Sequence, residues 1–206
     1  MRKVRGILAS LLFATAAVAQ QPVEIKEWPV PWTDTRPRDP AVDRQGRVWF
    51  VGQQGNYLAR FDPATAKFDR YDLEKGSGPH NCIVGPDGAI WFAGNTAAYI
   101  GRFDPASGKI TKAPMPAGMA SDPHTLVAAP NGEIWFTAQV SGYVGRLDPK
   151  RRAVKVVKVE GSGARPYGIA GASPELHATR NAQLATGSTP PCCTRRGIVA
   201  KRRGRR

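Results

Sequence analysis

The sequence predicts an all-β chain, a β-propeller of four-stranded blades with about three blades present and a disordered C-terminal tail, and three observations carry that prediction. A long phrase recurs: PRDPAVDRQGRVWFVGQQGNYLARFDPATAKFDRYDL opens residues 37–78, PHNCIVGPDGAIWFAGNTAAYIGRFDPASGKITKAPM opens 79–122, and PHTLVAAPNGEIWFTAQVSGYVGRLDPKRRAVKVVKV opens 123–165. Its landmarks keep step, since Trp49, Trp91 and Trp135 lie 42 and 44 residues apart, as do Asp62, Asp104 and Asp148, while Pro37, Pro79, Pro123 and Pro166 follow at 42, 44 and 43. Each unit also divides into four short apolar or β-branched runs separated by turn residues. Four strands in roughly 40–45 residues is the period of a propeller blade. A parallel β-helix needs shorter coils, and the Gly, Pro and β-branched content disfavours helical repeats.

The elements follow in chain order. Arg2, Lys3 and Arg5, the apolar run Gly6 to Ala17, and Ala17-Val18-Ala19 before Gln20 read as a secretory signal peptide over residues 1–19. The apolar run is shorter than the roughly 20 residues a membrane span requires. The mature chain is therefore expected to be periplasmic or secreted, with no membrane span after cleavage. A partial propeller is expected over residues 20–170. Residues 23–31, VEIKEWPVP, resemble the fourth strand of a unit with no strands one to three before them. Such an orphan strand completes the last blade of a closed ring and links the chain ends.

Within a unit, a first run such as TLVAA leads to Asp87-Gly88 or Asn131-Gly132, whose tolerance of positive φ suits a tight hairpin. The IWF run is apolar at successive positions, as expected of a strand buried on both faces. YVGRLD ends at Asp-Pro, where the fixed φ of proline starts a turn. KITKAPM and KFDRYDL alternate and carry charge, which marks the outer, half-exposed strand. PYGIA at 166–170 then opens a fourth unit, and there the rhythm is lost.

Residues 171–206 contain no aromatic side chain and eight Arg or Lys against one acid. A break inside a strand favours a change of reading frame near residue 171 that truncates a longer propeller; a native disordered basic tail is the alternative. Three blades cannot close a ring, so uncovered faces and edges predict self-association.

The net charge of +14 invites a nucleic-acid partner. Its distribution argues against one: of 30 Lys and Arg, three precede residue 20 and eight follow residue 170, leaving 19 against 15 acidic residues between them. No nucleic acid is expected. Cys192 and Cys193 are adjacent in the tail and Cys82 sits in the apolar NCIVG, so no disulfide framework follows, and Cys82 reads as a small buried hydrophobe.

The phrases P-[HY]-x-[ILC], W-F-x and Y-[IV]-G-R-[FL]-D-P, with a charged strand after them, resemble the virginiamycin B lyase (streptogramin lyase) family over roughly residues 22–170. The resemblance implies a ring of about seven blades that linearises cyclic depsipeptide antibiotics by elimination, breaking a C–O bond with Mg²⁺. Its working histidines lie in the P-H phrase at the start of inner strands, and a glutamate follows W-F. His80 and His124 occupy that phrase here, one repeat apart; either they work on a substrate or they cap their strands. Gln139 falls nearest the acid of the family and cannot transfer a proton. Tyr167 replaces the histidine in the fourth unit, as a hydrogen-bond donor lining the channel or as packing against the preceding blade.

The partner implied is a small cyclic peptide or another small molecule, and the cofactor is Mg²⁺. No set of metal ligands is legible in the sequence. A non-catalytic propeller of the cell envelope that binds a ligand or a protein is the alternative function.

Trp49, Trp91 and Trp135 are expected to pack between blades. Asp62, Asp104 and Asp148 are expected to bond their own turns, and Arg60, Arg102 and Arg146 to pair with those aspartates or with neighbouring blades.

Overall fold

A computed structural model describes residues 24–172 and 175–180. The signal peptide read over 1–19, the adjacent Cys192 and Cys193, and most of the basic tail lie outside the described residues.

Twelve strands form three four-stranded antiparallel sheets, one for each repeat. Blade 1 is β1 (Pro37–Val42), β2 (Val48–Gly52), β3 (Tyr57–Asp62) and β4 (Lys67–Asp72), paired in chain order. Blade 2 is β5 (Pro79–Val84), β6 (Ile90–Gly94), β7 (Tyr99–Phe103) and β8 (Ile110–Pro114). Blade 3 is β9 (Pro123–Ala128), β10 (Ile134–Ala138), β11 (Tyr143–Asp148) and β12 (Ala153–Lys158). The fourth unit supplies β13 (Pro166–Ala172), which pairs with β14 (Glu175–Arg180). This second strand falls where the sequence reading saw only tail. A strand with a paired neighbour on one edge can form without the alternation that a half-buried strand displays.

The hairpins between first and second strands differ in detail from expectation. Only the glycine of each dipeptide has positive φ, at 78° for Gly88 and 84° for Gly132. Gly88 N–H donates to the Gly85 carbonyl, and Gly85 N–H to the Ala89 carbonyl. The connection is a three-residue loop ending in a left-handed glycine, where a two-residue type I′ turn would need positive φ at both central positions.

Side-chain alternation in the second strand decides how blades stack. Trp49 and Val51 face blade 2, where they meet Cys82, Ile90, Phe92 and Phe103. Trp91 and Ala93 face blade 3 and meet Leu126, Ile134 and Phe136. Strand two is thus buried on both faces because each face touches a different blade. The glycine of Y-[IV]-G-R follows from the same packing: a Cβ on Gly101 would stand 2.1 Å from the Phe92 ring, and one on Gly145 2.3 Å from the Phe136 ring.

The recurring charged residues hold each blade together internally. Asp62, Asp104 and Asp148 each accept a backbone N–H from two residues ahead, at 2.9 Å from Ala64, Ala106 and Lys150, so they do bond their own turns. The arginines, however, pair with neither these aspartates nor other blades. Arg60 binds Asp69, Arg102 binds Asp87 and Arg146 binds Glu133, all within one blade. Antiparallel register places Arg60 directly opposite Asp69, so the cross-strand partner is nearer than any on another sheet.

Residues 24–30 form no strand. Trp28, Val30 and Trp32 instead lie on the outward face of blade 1, against Phe50, Tyr57, Phe61 and Phe68. Ring centroids are 5.1 Å apart for Trp28 and Phe61 and 5.0 Å for Trp32 and Tyr57. The segment covers a blade by its side chains, where the sequence pattern had suggested a strand completing one by its backbone.

Candidate functional site

The first strands β1, β5, β9 and β13 pack side by side, so residues at equal positions of successive repeats become neighbours. The second residue of each is Arg38, His80, His124 and Tyr167. Proline opens every one of these strands, and in all four the register slips by a bulge or irregularity shortly after it. A bulge locally re-aims side chains.

The histidines are brought into contact. Their ring centroids are 3.7 Å apart, and both are buried, at 7% exposure for His80 and 4% for His124. Tyr167 continues the row with its ring centroid 4.6 Å from that of His124, although 39% of the residue is exposed. It therefore packs against the preceding blade. Its carbonyl accepts a 2.7 Å hydrogen bond from Thr137 Oγ1, which ties β13 to blade 3.

On the other side of His80 stands Asp39, with Oδ2 3.6 Å from His80 Nδ1 and 3.7 Å from Arg38 Nε. Arg38 also donates to Gln53 Oε1 at 2.9 Å. Arg38 and Asp39 were not singled out by the sequence reading. The signal for Arg38 was its place in the repeat, which is that of His80 and His124.

The electrostatics divide the pair. Burial, and then the charges of His80 and Arg38, push the His124 imidazole down to about 4 from the ordinary 6.5. It is neutral near pH 7, and a 2.9 Å hydrogen bond joins its Nδ1 to Thr125 Oγ1. Burial alone would raise the Asp39 carboxyl, but contact with His80 and the charge of Arg38 hold it below its usual value. The Asp39 carboxylate stands beside His80, with its Oδ2 nearest Nδ1.

Gln139 lies one residue past Ala138, which pairs with Pro123, so it belongs to the same end of blade 3 as His124. It is half-buried in the turn after β10. Among the described residues no hydrogen bond joins it to either histidine. The corresponding Asn95 donates to the Pro123 carbonyl at 3.0 Å, a bond between blades.

Magnesium prefers a set of oxygen ligands. Around the histidine pair the described residues offer the Asp39 carboxylate, already facing His80 and Arg38. The Asp122 carboxylate is occupied by Val140 N–H, Ser141 N–H and the Ser141 hydroxyl. No group of three or more His, Cys, Asp or Glu able to hold a metal is present among the described residues. They do not make up a magnesium site by themselves. Cys82 offers no thiolate, because full burial pushes its thiol far up, and its Sγ donates to the Asp39 carbonyl at 3.4 Å.

Known proteins bear on this arrangement. Residues 15–185 match the virginiamycin B lyase family. Among solved structures, selenomethionine-substituted virginiamycin B lyase from Staphylococcus aureus is 31% identical, with a TM-score of 0.69 over 75% of this chain and 52% of that one. A streptogramin B lyase structure is 28% identical, with a TM-score of 0.69 over 75% of this chain and 51% of that one. A catalytically inactive S. aureus virginiamycin B lyase with quinupristin is similar in fold, at 24% identity and a TM-score of 0.70, over 76% of this chain and 53% of that one. The chain spans about half the length of these structures. No curated protein sequence matches it.

Proposed function

The chain belongs to the virginiamycin B lyase family, and from that premise we propose that it carries one side of a C–O lyase site for cyclic depsipeptides of the streptogramin B type. The observation that supports this most is the meeting of His80 and His124, from neighbouring blades, at a ring separation of 3.7 Å.

The chemistry asks for a base beside an acidic C–H. A neutral imidazole takes the proton α to a carbonyl, the C–H electrons form a C=C bond, and the C–O bond to the β carbon breaks. The ester carboxylate departs with that electron pair, so the ring opens without water. The histidine pair supplies that base: His124 is neutral near pH 7, though its low value leaves it a weak base there, and His80 beside it offers the second imidazole. Tyr167 and Gln139 stand at the same end and would contact the peptide. Mg²⁺, when bound, would act as a Lewis acid toward the carbonyl, and its ligands would have to include groups beyond the described residues. With the activity go two further proposals: export to the periplasm or medium, and self-association through the uncovered face of blade 3.

Mass spectrometry of a streptogramin B-type cyclic depsipeptide incubated with the protein and Mg²⁺ tests the reading. A linear product of unchanged mass is expected, since hydrolysis would add water. His124→Ala should reduce turnover by about 100-fold or more. Unaltered turnover in that variant would remove His124 from the mechanism.

Gln139 favours a second reading. A side chain that cannot exchange protons stands near where the family places its acid, which suits a propeller of the cell envelope that binds a ligand without converting it. Saturable binding of the depsipeptide with no ring opening would select this alternative.

A further inference from the structure

His80 and Arg38 present the chain with two buried polar atoms that lack a hydrogen bond, His80 Nδ1 and Arg38 Nε. Both lie close to one oxygen, Asp39 Oδ2, at 3.6 and 3.7 Å. A contraction of a few tenths of an ångström would satisfy both atoms at once.

The backbone of Asp39 bears on the same point. Its φ is 48°, inside a β-strand, a left-handed conformation that Asp and Asn adopt more readily than most residues. The neighbouring blade holds it there. Cys82 Sγ bonds to its carbonyl, and its carboxylate interacts with Asn81, whose Oδ1 in turn accepts Leu126 N–H at 3.0 Å from blade 3.

We propose that Asp39 is a positioning residue: its carboxylate fixes the proton of His80 on Nδ1 and turns Nε2, as a lone-pair nitrogen, toward the substrate. Among the described residues, the charged and titratable groups around His80 are Arg38 and Asp39 from β1 and His124 from β9. Of these, Asp39 is the one that places an acceptor near Nδ1. Contact with His80 and then the charge of Arg38 hold that carboxylate low, so it stays ionised. The role deepens the elimination reading and rests on it for its catalytic meaning, but the tautomer itself is independent of turnover.

Ring ¹⁵N–¹H correlation spectra of the full chain near pH 7 test the assignment, with His80→Gln identifying the His80 signals. The wild type is expected to carry the His80 proton on Nδ1, and Asp39→Asn to shift it toward Nε2. Asparagine tolerates positive φ, so thermal unfolding of Asp39→Asn should stay close to that of the wild type. A wild-type proton on Nε2, or a His80 signal indifferent to Asp39→Asn, overturns the proposal even if the variant folds poorly, because the first result needs no variant.

Turnover of the depsipeptide gives the second readout. Asp39→Asn should lower kcat about tenfold or more and leave KM within about twofold. A tautomer change with unaltered kcat would overturn the positioning role. Absence of turnover in the wild type would sink the lyase reading while the spectra still decide the tautomer.

Discussion

The two ends of the blade stack solve one problem in different ways. Blade 1 turns its outward face to residues 24–32, and Trp28, Val30 and Trp32 cover it. Blade 3 turns its outward face to β13, the first strand of a two-stranded sheet, which packs against the inner strands β9 and β10. The repeated tryptophan records the difference, being 0% exposed at Trp49 and 5% at Trp91 but only half-buried at Trp135. Val157, on the same outward side, is exposed. The same residue in the same phrase is core or surface according to whether a further blade lies on it.

Truncation should break this comparison most sharply. Trp49→Ala removes a fully buried indole and is expected to cost about 3–5 kcal/mol, whereas Trp135→Ala, with less to lose, should cost about 1 kcal/mol. Urea midpoints of the two variants measure the contrast, and equal losses would mean that the outward face of blade 3 is covered in solution.

The N-terminal cover gives an intermediate effect. Trp32 meets Tyr57 and Phe68 edge-on and is half-buried. Trp32→Ala should lower stability by about 1–2 kcal/mol and increase binding of a hydrophobic dye to the bared face of blade 1. A variant with wild-type dye binding would show that the cover does not protect that face.

The smallest effect concerns the inner strands. His124 is held near 4 in the folded chain against 6.5 in the unfolded one. Between those values the unfolded chain binds a proton that the folded chain refuses, so stability falls as the pH drops through that window. Above 6.5 both states are neutral and the contribution is complete; below about 4 both are protonated and no more is lost. Denaturation midpoints between pH 4 and 7 should therefore slope upward with pH, and His124→Gln should flatten that part of the slope.

How far the sequence foretells each of these regions differs for a physical reason. The blades were legible because strand one, the glycine turn, W-F and the Asp-Pro turn are local signals repeated three times, and repetition cancels the ambiguity of any one copy. Residues 24–31 find no strand partner because the blade that such a strand would complete is not among the described residues. Their tryptophans found a face in place of a strand partner. β14 was missed because its pairing with β13 supplies the order that its own composition does not advertise.

His80 and His124 could be named from the recurring P-H phrase, and the repeat already implied that they sit at equal heights on adjacent strands. Arg38 was visible by the same positional logic. Asp39 was not, since in PRDPAV it reads as a turn residue between prolines. What the sequence by itself determined is the repeat, the four-stranded blade and the family, all of which rest on local pattern. Only the tertiary structure decided which blade faces are covered, the 3.7 Å approach of the two imidazoles and the place of Asp39 beside one of them. These depend on the bulged strands of separate blades converging, and no local pattern records a distance between residues some forty positions apart.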